Sequence, residues 1–269
     1  MSLVKQVVAI NWGTKYGPRF INRLYAMVAR NITPPFTFTC FTDNRDGIRP
    51  EVLCEDLPPI EAKMPVNTKG IWQKSRLWGP RLGTLEGPVL FLDLDVVVVG
   101  SLDPFFSVGT PDQVILARNP VRPLERLGQT SVYRFPVGKL VPLQEAFRAD
   151  PQGIAERYEY EQRFVTRNAP GGVAFFPKAW VRHFRHHCKP PFPLNFFMTA
   201  RLPKDARIVI FPGGYHPEHA IAGGSRHVSE RGIRAYLARI GERPRKQSAF
   251  AYLRSFTKPV RWVEKHWRE

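Results

Sequence analysis

One stretch of the chain, residues 87–100, constrains the fold more than any other. Its sequence is apolar throughout except for Asp93 and Asp95: GPVLFLDLDVVVVG. Such continuous apolar character is typical of a strand that is covered on both faces, as in a parallel sheet beneath helices. Burying a carboxylate without a partner is costly. We therefore expect the strand to end near Asp93, so that both carboxylates emerge at the carboxyl edge of the sheet, where open α/β folds bind ligands.

The spacing of the two carboxylates suits a metal site. Residues i and i+2 of an extended chain point the same way, and paired oxygen ligands suit Mg²⁺ or Mn²⁺, ions that usually also hold substrate phosphates. Two solvated carboxylates at a strand end are the simpler explanation, but the apolar strand before Asp93 favours a metal site. Two enzyme classes then stay open. One is a nucleotide-sugar transferase, and the other is a haloacid-dehalogenase-type phosphatase with Asp93 as its nucleophile.

The N-terminal part of the chain favours the transferase. Residues 4–11 read as a strand, followed by a glycine-containing loop and an amphipathic helix. In the phosphatase family the Asp-X-Asp motif usually ends the first strand, whereas here an α/β segment precedes it. The loop is expected at the same edge of the sheet as Asp93. There Trp12 or Tyr16 could stack on a base and Lys15 could reach a phosphate, although the aromatics could equally pack in the core.

Three further places could contact a ligand. Asp43 follows the second predicted strand and either contacts a base or ribose or caps its turn. Lys74 lies in a helix predicted over 71–78 and is either a phosphate contact or a solvated lysine. The predicted strand over 207–211 opens into a loop that contains Gly213 and His216. Glycines followed by a histidine at a strand end suit a loop that wraps phosphate and metal.

The positive charge of the chain suits nucleic acid, anionic lipid or a negatively charged substrate as a partner. Forty Lys and Arg stand against 23 Asp and Glu, which gives a formal net charge of +17. Residues 225–269 carry twelve of the basic residues and only four acidic ones, interleaved with aromatics at roughly helical spacing. This pattern predicts amphipathic helices that either lie on an anionic membrane or pack on the main domain. Nucleic acid is the less favoured partner because no recognised binding motif accompanies the charge.

The chain length fits one large α/β domain or one domain with an extension. We therefore expect a main domain over residues 1–222 and a basic amphipathic helical extension over residues 223–269. No apolar run is long enough to span a membrane. The three scattered cysteines are typical of reduced thiols. Together these features predict a cytoplasmic protein, either free or peripheral on the inner face of the membrane.

Taken together, six motifs over residues 4–222 resemble bacterial nucleotide-diphospho-sugar transferases of the A-type glycosyltransferase fold. The resemblance is strongest to family-eight-like enzymes, which include glycogenin and lipopolysaccharide glycosyltransferases. The motifs are Trp12-Gly13-Thr14-Lys15-Tyr16-Gly17, Phe41-Thr42-Asp43, Trp72-Gln73-Lys74, Phe91-Leu92-Asp93-Leu94-Asp95, Ser131-Val132-Tyr133-Arg134-Phe135 and Ile208-Val209-Ile210-Phe211-Pro212-Gly213. Each motif is weak, but their order along the chain is fairly specific. The resemblance implies a mixed central sheet flanked by helices.

The resemblance also implies a function and a set of site residues. The donor would be a UDP-sugar with Mn²⁺ or Mg²⁺, and the acceptor a saccharide or glycolipid, as in cell-surface polysaccharide synthesis. The implied donor-binding residues are Trp12, Gly13, Lys15, Tyr16, Asp43, Lys74, Asp93 and Gly213. The implied metal ligands are Asp93 and Asp95, and the implied residues on the sugar side are Gln129, Glu161 and Gln162.

The chain departs from the family pattern at three positions. Gln129 or Thr130 stands where the family has Asn or a small polar residue, and Glu161-Gln162 stands for its Asp-Gln pair. Pro212 replaces the histidine that completes the family's metal site, so we expect His216 to substitute for it. Without that substitution, a catalytically inactive homologue that binds membranes through its basic surface is the alternative.

Overall fold

The computed structural model describes residues 4–122 and 124–269, so residues 1–3 of the predicted main domain lie outside the described residues. The strands are β1 (Lys5–Asn11), β2 (Phe36–Thr42), β3 (Leu53–Glu55), β4 (Pro88–Leu92), β5 (Val97–Val98), β6 (Val114–Arg118), β7 (Gly128–Pro136), β8 (Val173–Phe175), β9 (Val181–His183) and β10 (Ile208–Ile210). The α-helices are α1 (Pro18–Ala29), α2 (Pro104–Ser107), α3 (Val141–Ala149), α4 (Pro151–Tyr158), α5 (Glu161–Asn168), α6 (Pro217–Ala222), α7 (Ile233–Ala238), α8 (Ala249–Ser255) and α9 (Arg261–His266). Short 3₁₀ helices cover Trp72–Trp78, Leu194–Phe196 and Ile240–Glu242, and a π-helical turn covers Phe184–Cys188.

The central sheet is mixed, as the resemblance implied. Its seven strands run in the order β3-β2-β1-β4-β7-β6-β8. β1 pairs in parallel with β2 and with β4, whereas β7 is antiparallel to both of its neighbours, β4 and β6. A smaller sheet of three strands has the order β5-β10-β9, and its first strand directly follows β4 in the chain.

Continuous apolar character in the central strands reflects burial on both faces of the sheet. Successive residues of β4 point to opposite sides, so that Leu90 and Leu92 join one core and Val89 and Phe91 the other. Helix α1 packs into the first core through its apolar stripe, which includes Leu24. Helices α3, α4 and α5 cover the second core. The sheet is therefore flanked by helices on both faces.

Asp93 lies where the sequence predicts the end of the buried strand. β4 ends at Leu92, and the Asp93 amide still donates a hydrogen bond to the Ser131 carbonyl of β7 at 2.9 Å. Because β1, β2 and β4 are parallel, the residues that follow them meet at one edge of the sheet. The loop after β1, Asp43 after β2 and Asp93 after β4 are therefore neighbours.

The C-terminal segment packs mostly within the protein. Tyr236 of α7 and Tyr252 of α8 stack with ring centroids 4.3 Å apart, and each hydroxyl donates to the other residue's carbonyl. Val260, Val263 and Trp267 belong to the main core rather than to a separate one. Packing on the main body, one of the two alternatives for this segment, therefore describes its last part, whereas Val228, Tyr236, Tyr252 and Phe256 form a small core of their own. The division at residue 222 stays a prediction.

In the part of the chain that the structure describes, every helix is too short or too polar to cross a membrane.

Candidate active site

A cavity of about 340 Å³ opens at the carboxyl edge of β1 and β4. Ten of the thirteen predicted site residues line it. They are Trp12, Lys15, Tyr16, Lys74, Asp93, Asp95, Gln129, Glu161, Gln162 and Gly213. These residues come from loops, helices and strand β7, spread from residue 12 to residue 213, and the sheet brings their elements to one edge.

Lys74 is buried and faces the two acidic groups at the base of the cavity. Its side chain is only 3% exposed, and its Nζ lies 2.7 Å from Asp93 Oδ1 and 3.9 Å from Glu161 Oε1. The surrounding 3₁₀ helix is anchored by Trp72 and Trp78, which pack in the second core. The alternative of a solvated lysine is therefore wrong. Burial of an ammonium requires a partner, and Asp93 supplies it.

Glu161 is held in a defined orientation by groups from two other elements. It is the first residue of α5, and its Oε2 accepts a hydrogen bond from the Ile71 amide at 2.8 Å. Its Oε1 accepts another from the Thr130 hydroxyl of β7 at 3.1 Å. Gln162 follows it in the chain and lines the same cavity. The two residues are thus positioned by the meeting of α5, β7 and the 3₁₀ helix.

Asp95 connects the first loop with the last one. The Tyr16 hydroxyl donates a hydrogen bond to Asp95 Oδ2 at 2.8 Å, and His216 Nδ1 lies 3.4 Å from the same oxygen. Burial, and then the charge of Asp95, raises the pKa of Tyr16. The hydroxyl therefore stays protonated and serves as the donor of this hydrogen bond. The His216 Nδ1 atom is buried, and no hydrogen-bond partner for it occurs among the described residues.

The electrostatics of Asp93 reflect three opposing influences. Burial raises its pKa, the Lys74 ammonium lowers it, and the neighbouring carboxylate of Asp95 raises it again. The net direction is upward. A cation placed between the two carboxylates would favour their charged forms, because an opposite charge within a few ångströms stabilises ionisation.

Three predicted site residues do not line the cavity. Gly13 and Asp43 lie beside the cavity, where the Gly13 amide donates a hydrogen bond to Asp43 Oδ2 at 2.8 Å. This contact ties the loop after β1 to the end of β2. His216, the N-cap residue of α6, reaches the site through Asp95. Across residues 4–122 and 124–269, no three His, Cys, Asp or Glu side chains gather into a ready-made metal cluster.

Sequence reasoning missed several residues of the cavity, among them Gly70, Ser131 and Tyr160. Tyr160 immediately precedes Glu161, and Ser131 pairs next to the end of β4. A signal for Ser131 existed in the sequence, since it follows the predicted site residue Gln129 at the i+2 position, which in a strand is expected on the same face. Its neighbours could be identified only once β7 was known to pair with β4.

Comparison with known proteins gives a match at the level of structure. No family model and no curated protein sequence matches the chain. The galactosyltransferase LgtC, solved with donor and acceptor sugar analogs, is similar with a TM-score of 0.56 and 15% identity over 79% of this chain and 88% of LgtC. The glycosyltransferase GlyE of Streptococcus pneumoniae TIGR4 has a TM-score of 0.55 and 13% identity over 79% of this chain and 56% of GlyE.

The bifunctional glycosyltransferase WbbM is also similar, with a TM-score of 0.54 and 13% identity over 81% of this chain and 47% of WbbM. The chain thus spans about half the length of WbbM and of GlyE, and most of LgtC. At these identities the matches establish the fold. The chain has the A-type glycosyltransferase fold that its motifs predicted.

Proposed function

We propose that the chain is a metal-dependent glycosyltransferase that moves a sugar from a nucleotide-diphosphate sugar, a UDP-sugar, to a saccharide or glycolipid acceptor. The observation that carries this proposal is the convergence of Asp93, Asp95 and Lys74 in one cavity of a glycosyltransferase fold. A divalent ion and a buried ammonium beside a diphosphate would offset the charge that develops on the departing nucleotide.

The residues present fit a divalent ion, although they form no complete cage. Asp95 Oδ2 and His216 Nδ1 lie 3.4 Å apart, and that nitrogen forms no hydrogen bond in the described part of the chain. Neighbouring ligands of an octahedral ion with bonds of about 2.1 Å lie about 3 Å apart. Such ions usually complete their shell with water and substrate phosphates. Asp95 and His216 would therefore hold Mn²⁺ or Mg²⁺, with Asp93 beside them.

When bound, the ion supplies Lewis-acid stabilisation of the leaving diphosphate. The other roles belong to this chain's own side chains. Lys74 presents a buried ammonium to the cavity, and Asp93 holds it in place. Glu161, oriented by the Ile71 amide and the Thr130 hydroxyl, lies with Gln129 and Gln162 on the side that we assign to the sugar and acceptor.

The loop after β1 is our candidate for the nucleoside end of the donor. Trp12 and Tyr16 line the cavity and offer aromatic faces, and Lys15 is exposed at the same wall. The Gly13–Asp43 hydrogen bond fixes the shape of this loop. We assign this hydrogen bond a positioning role, which leaves Asp43 at the margin of the cavity. Gly213 lines the cavity from the opposite loop.

The charge of the chain supports our proposal for its cellular setting. A formal net charge of +17 supports an anionic partner beyond the nucleotide. We propose an acceptor from cell-surface polysaccharide synthesis and a place in the cytoplasm at the inner face of the membrane. Catalysis there would give the enzyme both a nucleotide-sugar donor and a glycolipid acceptor.

A two-step experiment tests the function. A thermal-shift screen of nucleotide sugars with Mn²⁺ identifies the donor, because a ligand that binds only the folded state raises the unfolding temperature. Release of the nucleoside diphosphate from that donor is then measured with acceptor sugars. Asp95→Asn should lose this activity. Asp205 is an exposed aspartate, so the control variant Asp205→Asn should retain it. Equal activities of the two variants would refute the proposed role of Asp95.

The phosphatase alternative is less well supported. Three strands precede β4 in the chain, and Asp93, the required nucleophile, is paired with Lys74 at 2.7 Å. Turnover of a generic phosphate ester with Mg²⁺, together with phosphorylation of Asp93, would favour it. An inactive homologue would bind the nucleotide sugar but release no nucleoside diphosphate with any acceptor.

A further inference from the structure

Four large apolar side chains form an exposed patch away from the cavity. The patch consists of Phe192, Leu194 and Phe197 in the segment after β9, and Phe250 in α8. Their exposed fractions are 38%, 46%, 71% and 55%. Exposed apolar residues scattered singly are ordinary, but a contiguous group indicates an interaction surface.

The three aromatic side chains are linked through Phe196, and Leu194 belongs to the same short segment. The Phe192 ring centroid lies 5.3 Å from that of Phe250 and 5.6 Å from that of Phe196, which lies 6.5 Å from that of Phe197. Beneath them the buried Asn195 donates hydrogen bonds to the carbonyls of Leu253 and Phe256, at 3.1 Å and 3.0 Å. The segment and α8 are thus joined, so the aromatic rings are displayed by the fold.

Two basic side chains lie beside this patch, and two more precede α8 in the chain. The Arg254 guanidinium lies 5.6 Å from the Phe250 ring centroid, and Lys258 Nζ donates to the Phe197 carbonyl at 3.3 Å. Arg245 and Lys246 are exposed just before α8 begins. None of these four cations forms an ion pair with a carboxylate of the described residues. Their charge is therefore free to meet an external anion.

We propose that this patch docks the protein on an anionic lipid bilayer. Aromatic rings with a cationic rim match the layout of a bilayer surface, in which acyl chains lie just beneath negatively charged headgroups. A bilayer is favoured over a protein partner because the charged groups named beside the rings are all cations, which suits a uniformly anionic surface. The proposal concerns a surface separate from the cavity, so it holds whether or not the cavity transfers a sugar.

The patch differs from the surface that the sequence predicts. Most apolar side chains of residues 225–269, including Tyr252 and Trp267, are buried in the fold. Phe192, Leu194 and Phe197 belong to an earlier segment without a basic amphipathic pattern. The docking surface is therefore assembled from two distant parts of the chain.

Co-sedimentation of the full chain with vesicles tests the proposal. We expect binding to vesicles of phosphatidylcholine with phosphatidylglycerol, and little binding to phosphatidylcholine alone. Binding should weaken as salt is raised, because salt screens exposed charges. Phe197→Ala with Phe250→Ala should lower the partition coefficient at least about tenfold, since each ring loses apolar contact with the bilayer.

A matched control replaces two exposed apolar residues outside the patch, Val66→Ala with Leu124→Ala, and should bind like the parent. Because all four positions are exposed, thermal unfolding should confirm that both double variants fold. The proposal is overturned if the parent does not bind anionic vesicles, if it binds neutral ones equally, or if the Phe197 and Phe250 variant binds as well as the parent. Sedimentation equilibrium tests whether a second copy of the chain covers the patch instead. If the parent forms a dimer, the Phe197 and Phe250 variant is monomeric and the parent does not bind vesicles, the patch is a dimer interface and the proposal is overturned.

Discussion

Lys74→Met is the most informative single change in the cavity. The substitution keeps the length of the side chain and removes its charge. In the parent the ammonium is buried, 2.7 Å from Asp93 Oδ1 and 3.9 Å from Glu161 Oε1. In the variant both carboxylates stay where they are, without the cation that compensates them. We therefore expect loss of stability as well as loss of donor binding.

The magnitude follows from the geometry. Two unit charges 2.7 Å apart attract by about 6 kcal/mol at an effective dielectric of about 20. Desolvation of the ammonium offsets much of this attraction, and removing one partner of a buried pair typically costs about 3–5 kcal/mol. Asp93 keeps 19% of its side chain exposed, so water can partly solvate it. We therefore expect a loss of about 3 kcal/mol in the free energy of unfolding.

Urea denaturation at pH 7 measures this loss. Asp93→Asn and the double variant complete a double-mutant cycle, and we expect a coupling energy of about 2 kcal/mol between Lys74 and Asp93. Lys69→Met is the control, because Lys69 is exposed and pairs with Glu159 at the surface, where a pair is worth about 1 kcal/mol at most. The reasoning is refuted if Lys74→Met costs no more than Lys69→Met, or if the effects in the cycle simply add.

The pH dependence provides a second check on the same variant. Without the ammonium, the folded-state pKa of Asp93, already raised by burial, rises further. A carboxyl with a raised folded pKa destabilises the protein above its unfolded pKa, and this penalty is relieved as the pH falls through the folded value. The stability deficit of Lys74→Met should therefore shrink as the pH is lowered from 7 towards 4. A deficit that stays constant would contradict the assignment.

Three other changes test separate parts of the account. Tyr16→Phe removes the hydrogen bond to Asp95 and should weaken Mn²⁺-dependent UDP binding about tenfold in calorimetry; unchanged affinity would exclude a positioning role. Burial, and then the nearby charges of His186, Arg185 and His187, lowers the pKa of His183 to about 3. As the pH falls, His183 takes up a proton in the unfolded state before it does so in the folded state. The parent should therefore lose about 2 kcal/mol of its free energy of unfolding between pH 7 and pH 5. In urea titrations of His183→Asn, this pH dependence should be absent. Trp267→Ala should lower the free energy of unfolding by about 3–5 kcal/mol, whereas a small effect would make the C-terminal segment an independent extension.

The buried Asp-X-Asp strand was the part of the fold most readable from sequence. A run that is apolar on both faces specifies a central strand, and the cost of burying carboxylates locates its end at Asp93. The first strand and the loop after it followed from periodicity and glycines. Together with the family resemblance, which alone supplied Gln129, Glu161 and Gln162, these local signals predicted ten residues that line one cavity.

Long-range pairing was beyond such reasoning. Lys74 reads as an ordinary helical lysine, and its burial depends on Asp93 and Glu161, which lie far away in the sequence. The Gly13–Asp43 hydrogen bond likewise requires β1 and β2 to be in register. The basic C-terminal residues suggested a membrane surface, but only the fold separates the buried aromatics from Phe250, which stays exposed.

The central claim is that the acidic rim of the sheet holds a nucleoside diphosphate through a divalent ion. Calorimetric titration of the protein with UDP, with and without Mn²⁺, tests it most directly. We expect binding that requires Mn²⁺ and that Asp95→Asn abolishes, while Asp205→Asn binds like the parent. Binding of UDP with the same affinity in the absence of Mn²⁺, or by Asp95→Asn, would contradict the account.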